Sequence, residues 1–160
     1  MTVAFLTPKR RRAAVALGAV SAGLLVLSAC EKPTPLATVT VGSSSVSTEA
    51  ACYNDGKALA DKDIPGCLNK KPEKSISVDP SVDQVRFGVD PEIAEMGWTI
   101  FLGGRNAEPE PFKKTYRSIP ASAFFSSQMG PAPEKTQVTI VANSGKNVAG
   151  IWHFELKKKS

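Results

Sequence analysis

The chain has 160 residues and a formal net charge of +5, a length that allows one compact core after an export leader and leaves too little for two. The charge does not indicate nucleic-acid binding, because positions 9–12 hold four of the 20 basic residues and precede Cys30, before which no acidic residue occurs. The remainder carries 16 basic and 15 acidic side chains. The chain from Cys30 onward therefore has almost no cationic excess for phosphates, and no nucleic-acid partner is expected.

Residues 1–29 have the organisation of a secretory signal peptide. The basic positions are followed by an uncharged run of 17 residues over 13–29, which ends in the lipobox pattern Leu27-Ser28-Ala29-Cys30. This pattern predicts cleavage between Ala29 and Cys30 and attachment of diacylglycerol and palmitate to Cys30. Several acyl chains on one residue give a stable anchor, so we expect a lipoprotein on the extracytoplasmic face of the cell membrane.

Three questions about the leader stay open. The run of 17 residues reaches the lower limit for an uncleaved membrane-spanning helix, and a soluble secreted protein is the other alternative to a lipoprotein. Arg11 and Arg12 also fit a twin-arginine signal, so either export route is possible. After the leader, residues 30–36 are predicted to be the lipidated cysteine and a short tether, 37–157 a single β-rich domain, and 158–160 a basic tail.

The domain begins with a predicted strand over 36–46, where valine and threonine alternate. A short helix is predicted over 57–63, inside an excursion bracketed by Cys52 and Cys67. With Cys30 lipidated, these two cysteines remain, and outside the cytoplasm a disulfide is the expected state. A free or metal-binding thiol pair is the alternative, but it lacks CxxC spacing and nearby histidines.

The rest of the chain alternates apolar and polar residues with period two, which is typical of half-buried strands. Strands are predicted over 76–78, 85–89, 98–102, 115–119, 121–125, 137–142 and 148–156. The last two flank hairpin-turn residues at 144–147. About seven short strands separated by turn signals predict a mostly β fold, an immunoglobulin-like β-sandwich, with a small barrel as the alternative.

Five segments together resemble a known group of proteins. They read LSAC at 27–30, ACYNDG at 51–56, VRFGVDPEIAEMGW at 85–98, KTYRSIP at 114–120 and GIWHFELK at 150–157. The combination resembles a group of small actinobacterial lipoproteins of unknown function, over nearly the whole chain. The resemblance implies a similar anchor and fold, and it transfers no catalytic or binding residue.

Few residues are candidates for chemistry. Trp98 and Trp152 occupy inward positions of predicted strands, where large rings fill the space between sheets. His153, the only histidine, is predicted to lie exposed on the opposite face beside Glu155. No nucleophile motif, phosphate loop or metal-ligand spacing occurs, so the sequence predicts no catalytic residue, no metal ligand and no cofactor.

Phe101 and Ile151 fall on the predicted outward faces of their strands. Together with Phe124 or Phe125 they form a possible partner patch. The alternative is a strand buried on both faces, or a register that differs by one residue. The leading functional hypothesis is a non-enzymatic envelope interaction module, and the rival is a small-ligand or metal-binding lipoprotein associated with a transporter.

Overall fold

The structure is a computed structural model that describes residues 33–107, 110–126 and 131–159. The predicted signal peptide, the cleavage site at Ala29 and the lipidated Cys30 lie outside the described residues, so these remain predictions. Among the helices of the described residues, none combines the length and apolar character needed to cross a membrane.

The described part of the chain contains ten β-strands, two short α-helices and one 3-10 helix. The strands are β1 (Ala37–Val41), β2 (Ser44–Thr48), β3 (Cys52–Tyr53), β4 (Lys74–Val78), β5 (Gln84–Val89), β6 (Trp98–Leu102), β7 (Arg105–Asn106), β8 (Tyr116–Pro120), β9 (Lys135–Ser144) and β10 (Asn147–Lys158). The helices are α1 (Ile64–Leu68), α2 (Pro91–Met96) and the 3-10 helix (Ala121–Phe124).

The strands form two sheets. The first has the order β2-β1-β5-β8, and its neighbours are all antiparallel. The second has the order β3-β10-β9-β6-β7, with β4 added alongside β10 in parallel. The predicted mostly β fold, with two antiparallel sheets in a sandwich-like arrangement, is confirmed.

The core lies between the two sheets because one face of each strand is apolar. In β1 the alanine and valines are buried while Thr38 and Thr40 point outward, as period-two alternation requires. Trp98 and Trp152 are completely buried in this core, so their predicted position is confirmed. Burying each large apolar side chain contributes roughly 1.5–3 kcal/mol.

Two predicted elements are wrong at the level of local geometry. The alternation predicts one strand over 36–46, but the chain reverses at Gly42, where φ is +56°, and β1 and β2 pair as a hairpin. The pattern over 121–125 predicts a strand, but the segment forms the 3-10 helix, which buries Ala121 and Phe124. With the additional short edge strands, the described residues contain more strands than the seven or so predicted.

Two further corrections concern the excursion and the final hairpin. The predicted helix over 57–63 is absent, and α1 follows it because Pro65 suits a first helical turn. In β10 the pairing with β9 shifts between Val148 and Gly150, a β-bulge. An extra residue at a bulge reverses the faces on its far side. Val148 therefore packs on the outer face with Val141 and Ile151, not on the core face as the simple alternation predicts.

The excursion between β2 and β4 folds back across the outer face of the second sheet. Cys52 in β3 pairs with Ile151 of β10, and Cys67 in α1 is buried against Val141 and Ile151. The predicted Cys52–Cys67 disulfide is confirmed, with the two Cα atoms 5.8 Å apart. This covalent link holds α1 above strands to which it is not adjacent in sequence.

The C-terminal lysines belong to the sheet. Strand β10 continues through Lys158, the residue at which the predicted basic tail begins, and the backbone N–H of Lys159 donates to the Val78 carbonyl. Lys157 and Lys158 also lie 3.3 and 3.8 Å from the carboxylates of Glu155 and Glu134. Part of their charge is therefore neutralised locally.

Candidate functional site

A concave surface lies between α1 and the outer face of the second sheet, and we call it the cleft. Its volume is about 400 Å³. Its walls are mostly apolar: α1 provides two side chains and the strands β6, β9 and β10 provide four, namely Ile64, Leu68, Phe101, Val141, Val148 and Ile151. Asn69, Gln137 and Thr139 add polar groups. The cleft therefore combines an apolar interior with a few polar atoms, as small-molecule sites do.

The possible partner patch lies on the outer face of the second sheet, but β10 is buried on both faces there, which is the alternative given for this strand. Phe101 and Ile151 do face away from the core between the sheets, as the alternation predicts. However, Ile151 is 0% exposed because the excursion covers it, and Phe101 is half-buried in the wall of the cleft. Phe124 and Phe125 are buried, so they do not extend an exposed patch.

The prediction that His153 is exposed is wrong, since only 4% of it is accessible. Its Nε2 lies 2.9 Å from the Cys67 carbonyl oxygen, and its Nδ1 lies 2.9 Å from Thr139 Oγ1. A carbonyl can only accept, so Nε2 must carry the proton and Nδ1 must accept from the Thr139 hydroxyl. The ring thus links α1 to β9, and the Gln137 amide lies 3.3 Å from the same Nδ1.

Burial lowers the pKa of His153, although its hydrogen bond to the Cys67 carbonyl acts in the opposite direction. The positive charge of Lys70 lowers this pKa further. A smaller polar cavity of about 150 Å³ also reaches the ring, and its lining includes Glu49, Lys70, Lys71 and Glu73. The histidine is consequently neutral at neutral pH.

We expect the stability of the domain to fall between pH 7 and pH 5. The pKa of His153 is lower in the folded state than its ordinary value of 6.5, so the unfolded chain binds more protons as the pH decreases. The stability that neutral His153 contributes is present above pH 6.5 and is lost as the pH falls toward the pKa of His153 in the folded state. Urea unfolding at pH 5, 6 and 7 measures this loss.

The matched variant for this experiment is His153→Gln, which retains a polar side chain but does not titrate. Because the chain has one histidine, His153 is the only side chain whose ordinary pKa lies between 5 and 7. The variant should be less stable at pH 7 and should show a flatter dependence between pH 7 and pH 5. An equally steep decline in wild type and variant would exclude His153 as the cause.

The described residues show no group of three or more His, Cys, Asp or Glu side chains placed to hold a metal ion. The only histidine uses both ring nitrogens in hydrogen bonds within the fold. The cleft is the apolar concave surface that the described residues form on the outer face of the second sheet.

Sequence reasoning missed the residues that form the wall opposite the sheet. Ile64 and Leu68 line the cleft from α1, whereas the sequence predicted the helix over 57–63, which contains neither residue. One signal was available: Val141, Ile151 and Phe101 are all large apolar residues on the outer face of adjacent strands. Such a face indicates a covering element, and the excursion is that element.

Comparisons with protein-family models, with curated proteins and with solved structures each find no match for this chain. Function is therefore inferred from the residues of the chain itself, above all from those of the cleft.

Proposed function

We propose that this chain is an extracytoplasmic lipoprotein, held at the cell membrane by lipid on Cys30, whose domain is a non-enzymatic interaction module. The observation that supports this most is the cleft, because it presents apolar surface that the fold leaves open to solvent. Leu68 at its edge is 43% exposed, and Phe101 is half-buried beside it. Apolar surface of this kind typically marks a contact site for another molecule.

The tether supports a site of action close to the membrane. Pro35 is buried, and its carbonyl accepts a hydrogen bond of 3.0 Å from the indole Nε1 of Trp152. The folded domain therefore begins only a few residues after Cys30, and such a segment spans at most about 20 Å when extended. We propose that the partner is another component of the cell envelope.

We also propose that the sandwich is immunoglobulin-like. Six strands correspond in chain order to strands A, B, C, E, F and G of the immunoglobulin fold, namely β1, β5, β6, β8, β9 and β10. The neighbour order β1-β5-β8 matches A-B-E, and β6-β9-β10 matches C-F-G. The buried Trp98 on β6 corresponds to the tryptophan of strand C. Two features depart from that pattern: β2 lies beside β1, and the disulfide does not join the two sheets at B and F.

Crosslinking on intact cells that express the full lipidated protein tests the interaction module. We expect one envelope protein to be enriched over a lipid-anchored control, and Leu68→Asp to abolish the enrichment by placing a carboxylate on the wall of the cleft. Val82→Asp is the matched control, because Val82 is 76% exposed and does not line the cleft. Enrichment of no protein, or equal loss with both variants, contradicts the proposal.

The anchor is tested separately in the same cells. Cys30→Ala should release the protein from the membrane fraction and prevent incorporation of labelled palmitate. Retention of this variant after a salt wash would show that lipid is not the sole anchor.

A small-ligand-binding lipoprotein associated with a transporter is the second candidate function. The specific observation in its favour is the volume of the cleft, about 400 Å³, which lies within the range of roughly 300–1,000 Å³ typical of small-molecule sites. A protein partner would fill the cleft with one or two side chains, whereas a free ligand would occupy it alone.

A further inference from the structure

We infer that the cleft binds an uncharged small molecule that has an apolar body and a hydrogen-bond donor, a hydroxyl or an amide N–H, at one end. This inference rests on the small-ligand candidate of the proposed function. It names the class of ligand, which follows from three properties of the walls: their shape, their lack of charge and the polarity of their hydrogen bonds.

The apolar body is indicated by the interior of the cleft. Six of the residues that line the cleft have aliphatic or aromatic side chains, and they belong to α1, β6, β9 and β10. The volume of the cleft is about 400 Å³. Removing apolar ligand surface from water against such walls is favourable by roughly 25 cal/mol per Å². A body of one or two rings, or a short aliphatic chain, suits this size.

The absence of a net charge on the ligand follows from the lining. Among the described residues that line the cleft, none is acidic or basic. A charged group that enters such a site loses part of its hydration and finds no counter-ion, which weakens its binding. An uncharged ligand avoids this cost.

The donor follows from the hydrogen bonds of Thr139. Its hydroxyl has one hydrogen and two lone pairs, and the hydrogen is donated to Nδ1 of His153, because Nε2 of that ring already donates to the Cys67 carbonyl. Thr139 is among the residues that line the cleft, and with its hydrogen already donated, its hydroxyl oxygen can only accept from a ligand. A ligand with a hydroxyl or an amide N–H can donate a hydrogen bond to this oxygen, whereas an ether or ester of the same shape cannot.

The histidine thus acts as a positioning residue. It touches Thr139 rather than the cleft, and it determines which way the Thr139 hydroxyl points. Two exposed residues with side-chain amides, Gln137 and Asn69, also line the cleft. Amide groups both donate and accept, so they add affinity without selecting between donor and acceptor ligands.

The test uses 2-naphthol, 2-methoxynaphthalene and 2-naphthoate, which share one apolar body and differ in the polar group. Each compound is titrated calorimetrically into the lipidated protein in lipid nanodiscs, and empty nanodiscs of the same lipid supply the blank. We expect 2-naphthol to bind, and the methyl ether and the carboxylate each to bind about tenfold more weakly, the effect of one lost hydrogen bond or one unpaired charge.

Two pairs of variants locate the effect. Leu68→Asp should weaken the binding of 2-naphthol about tenfold, because it places an unpaired charge on the wall of the cleft. The control Val82→Asp should leave the affinity for 2-naphthol unchanged. Thr139→Val should remove the preference for 2-naphthol over its methyl ether, and Thr139→Ser, which keeps the hydroxyl, should retain it. A merely structural role of Thr139 would not alter this ratio.

The inference is overturned if no compound binds above the blank, if the ether or the carboxylate binds as well as 2-naphthol, or if Thr139→Val keeps the preference. Its failure is distinguishable from that of the interaction module. An envelope protein whose crosslinking depends on Leu68, without binding of 2-naphthol, supports the module alone. Binding of 2-naphthol with no enriched protein supports the small-ligand function alone.

Discussion

The double variant Cys52→Ala/Cys67→Ala is expected to lose about 3 kcal/mol of unfolding free energy, the chain-entropy contribution of a disulfide that closes a loop of this length. The two cysteines are 15 positions apart, and without the link the excursion is free to explore many more conformations in the unfolded chain. We expect the melting temperature to fall by roughly 10 °C. Urea and thermal unfolding of both proteins measure the difference.

Reductant provides the control for this prediction. Wild-type protein in reductant should unfold at nearly the same urea concentration as the double variant, and reductant should not affect the variant. The affinity for 2-naphthol should also fall in the variant, because α1 carries Ile64 and Leu68 into the wall of the cleft. Labelling of both cysteines as free thiols in the unreduced, denatured wild type would refute the disulfide.

Gly150→Ala should destabilise the fold by about 1–3 kcal/mol, the usual cost of overpacking a core. A Cβ at this position would lie 2.5 Å from Cη2 of Trp152 and 2.9 Å from Cδ2 of Tyr53. Neither ring can move easily. The indole is completely buried and donates to the Pro35 carbonyl, and the Tyr53 hydroxyl donates to Glu92 across 2.5 Å. Equilibrium unfolding in urea measures the difference in unfolding free energy between Gly150→Ala and the wild type.

Gly66→Ala is the matched substitution with the opposite expected sign. Gly66 lies inside α1, and a Cβ there meets no heavy atom within 4 Å. Alanine in place of glycine in a helix stabilises by about 0.5–1 kcal/mol. If Gly150→Ala were as stable as Gly66→Ala, the close approach of Trp152 to the β10 backbone would be wrong.

The sequence by itself determined the features that depend on local pattern. Alternation of apolar and polar residues identified most of the strands in the second half of the chain, and it placed Trp98 and Trp152 inside. With Cys30 assigned to the lipid anchor, the two remaining cysteines were expected to pair, and Cys52 and Cys67 form a disulfide. These features are readable because the period of a strand and the chemistry of a thiol pair are properties of residues near in sequence.

Local pattern was insufficient where one pattern is compatible with two backbones. The segment at 36–46 alternates through the turn at Gly42, so the hairpin looks like a continuous strand. The segment at 121–125 has the composition of a strand, but burial of Phe124 and Phe125 is achieved by a 3-10 turn. In each case packing against neighbouring strands selects the backbone, and that packing is not encoded locally.

Only the tertiary structure decided which surfaces are covered. Alternation shows that Ile151 and His153 lie on the same face of β10. It does not show that the excursion returns to cover that face, where Cys52 of β3 lies opposite Ile151 in the antiparallel β-ladder. That return buries the histidine, gives it the Cys67 carbonyl as a partner, and turns a flat outer surface into the cleft. The physical reason is that a contact between residues about a hundred positions apart depends on the whole topology, whereas the face on which a residue lies depends on its neighbours alone.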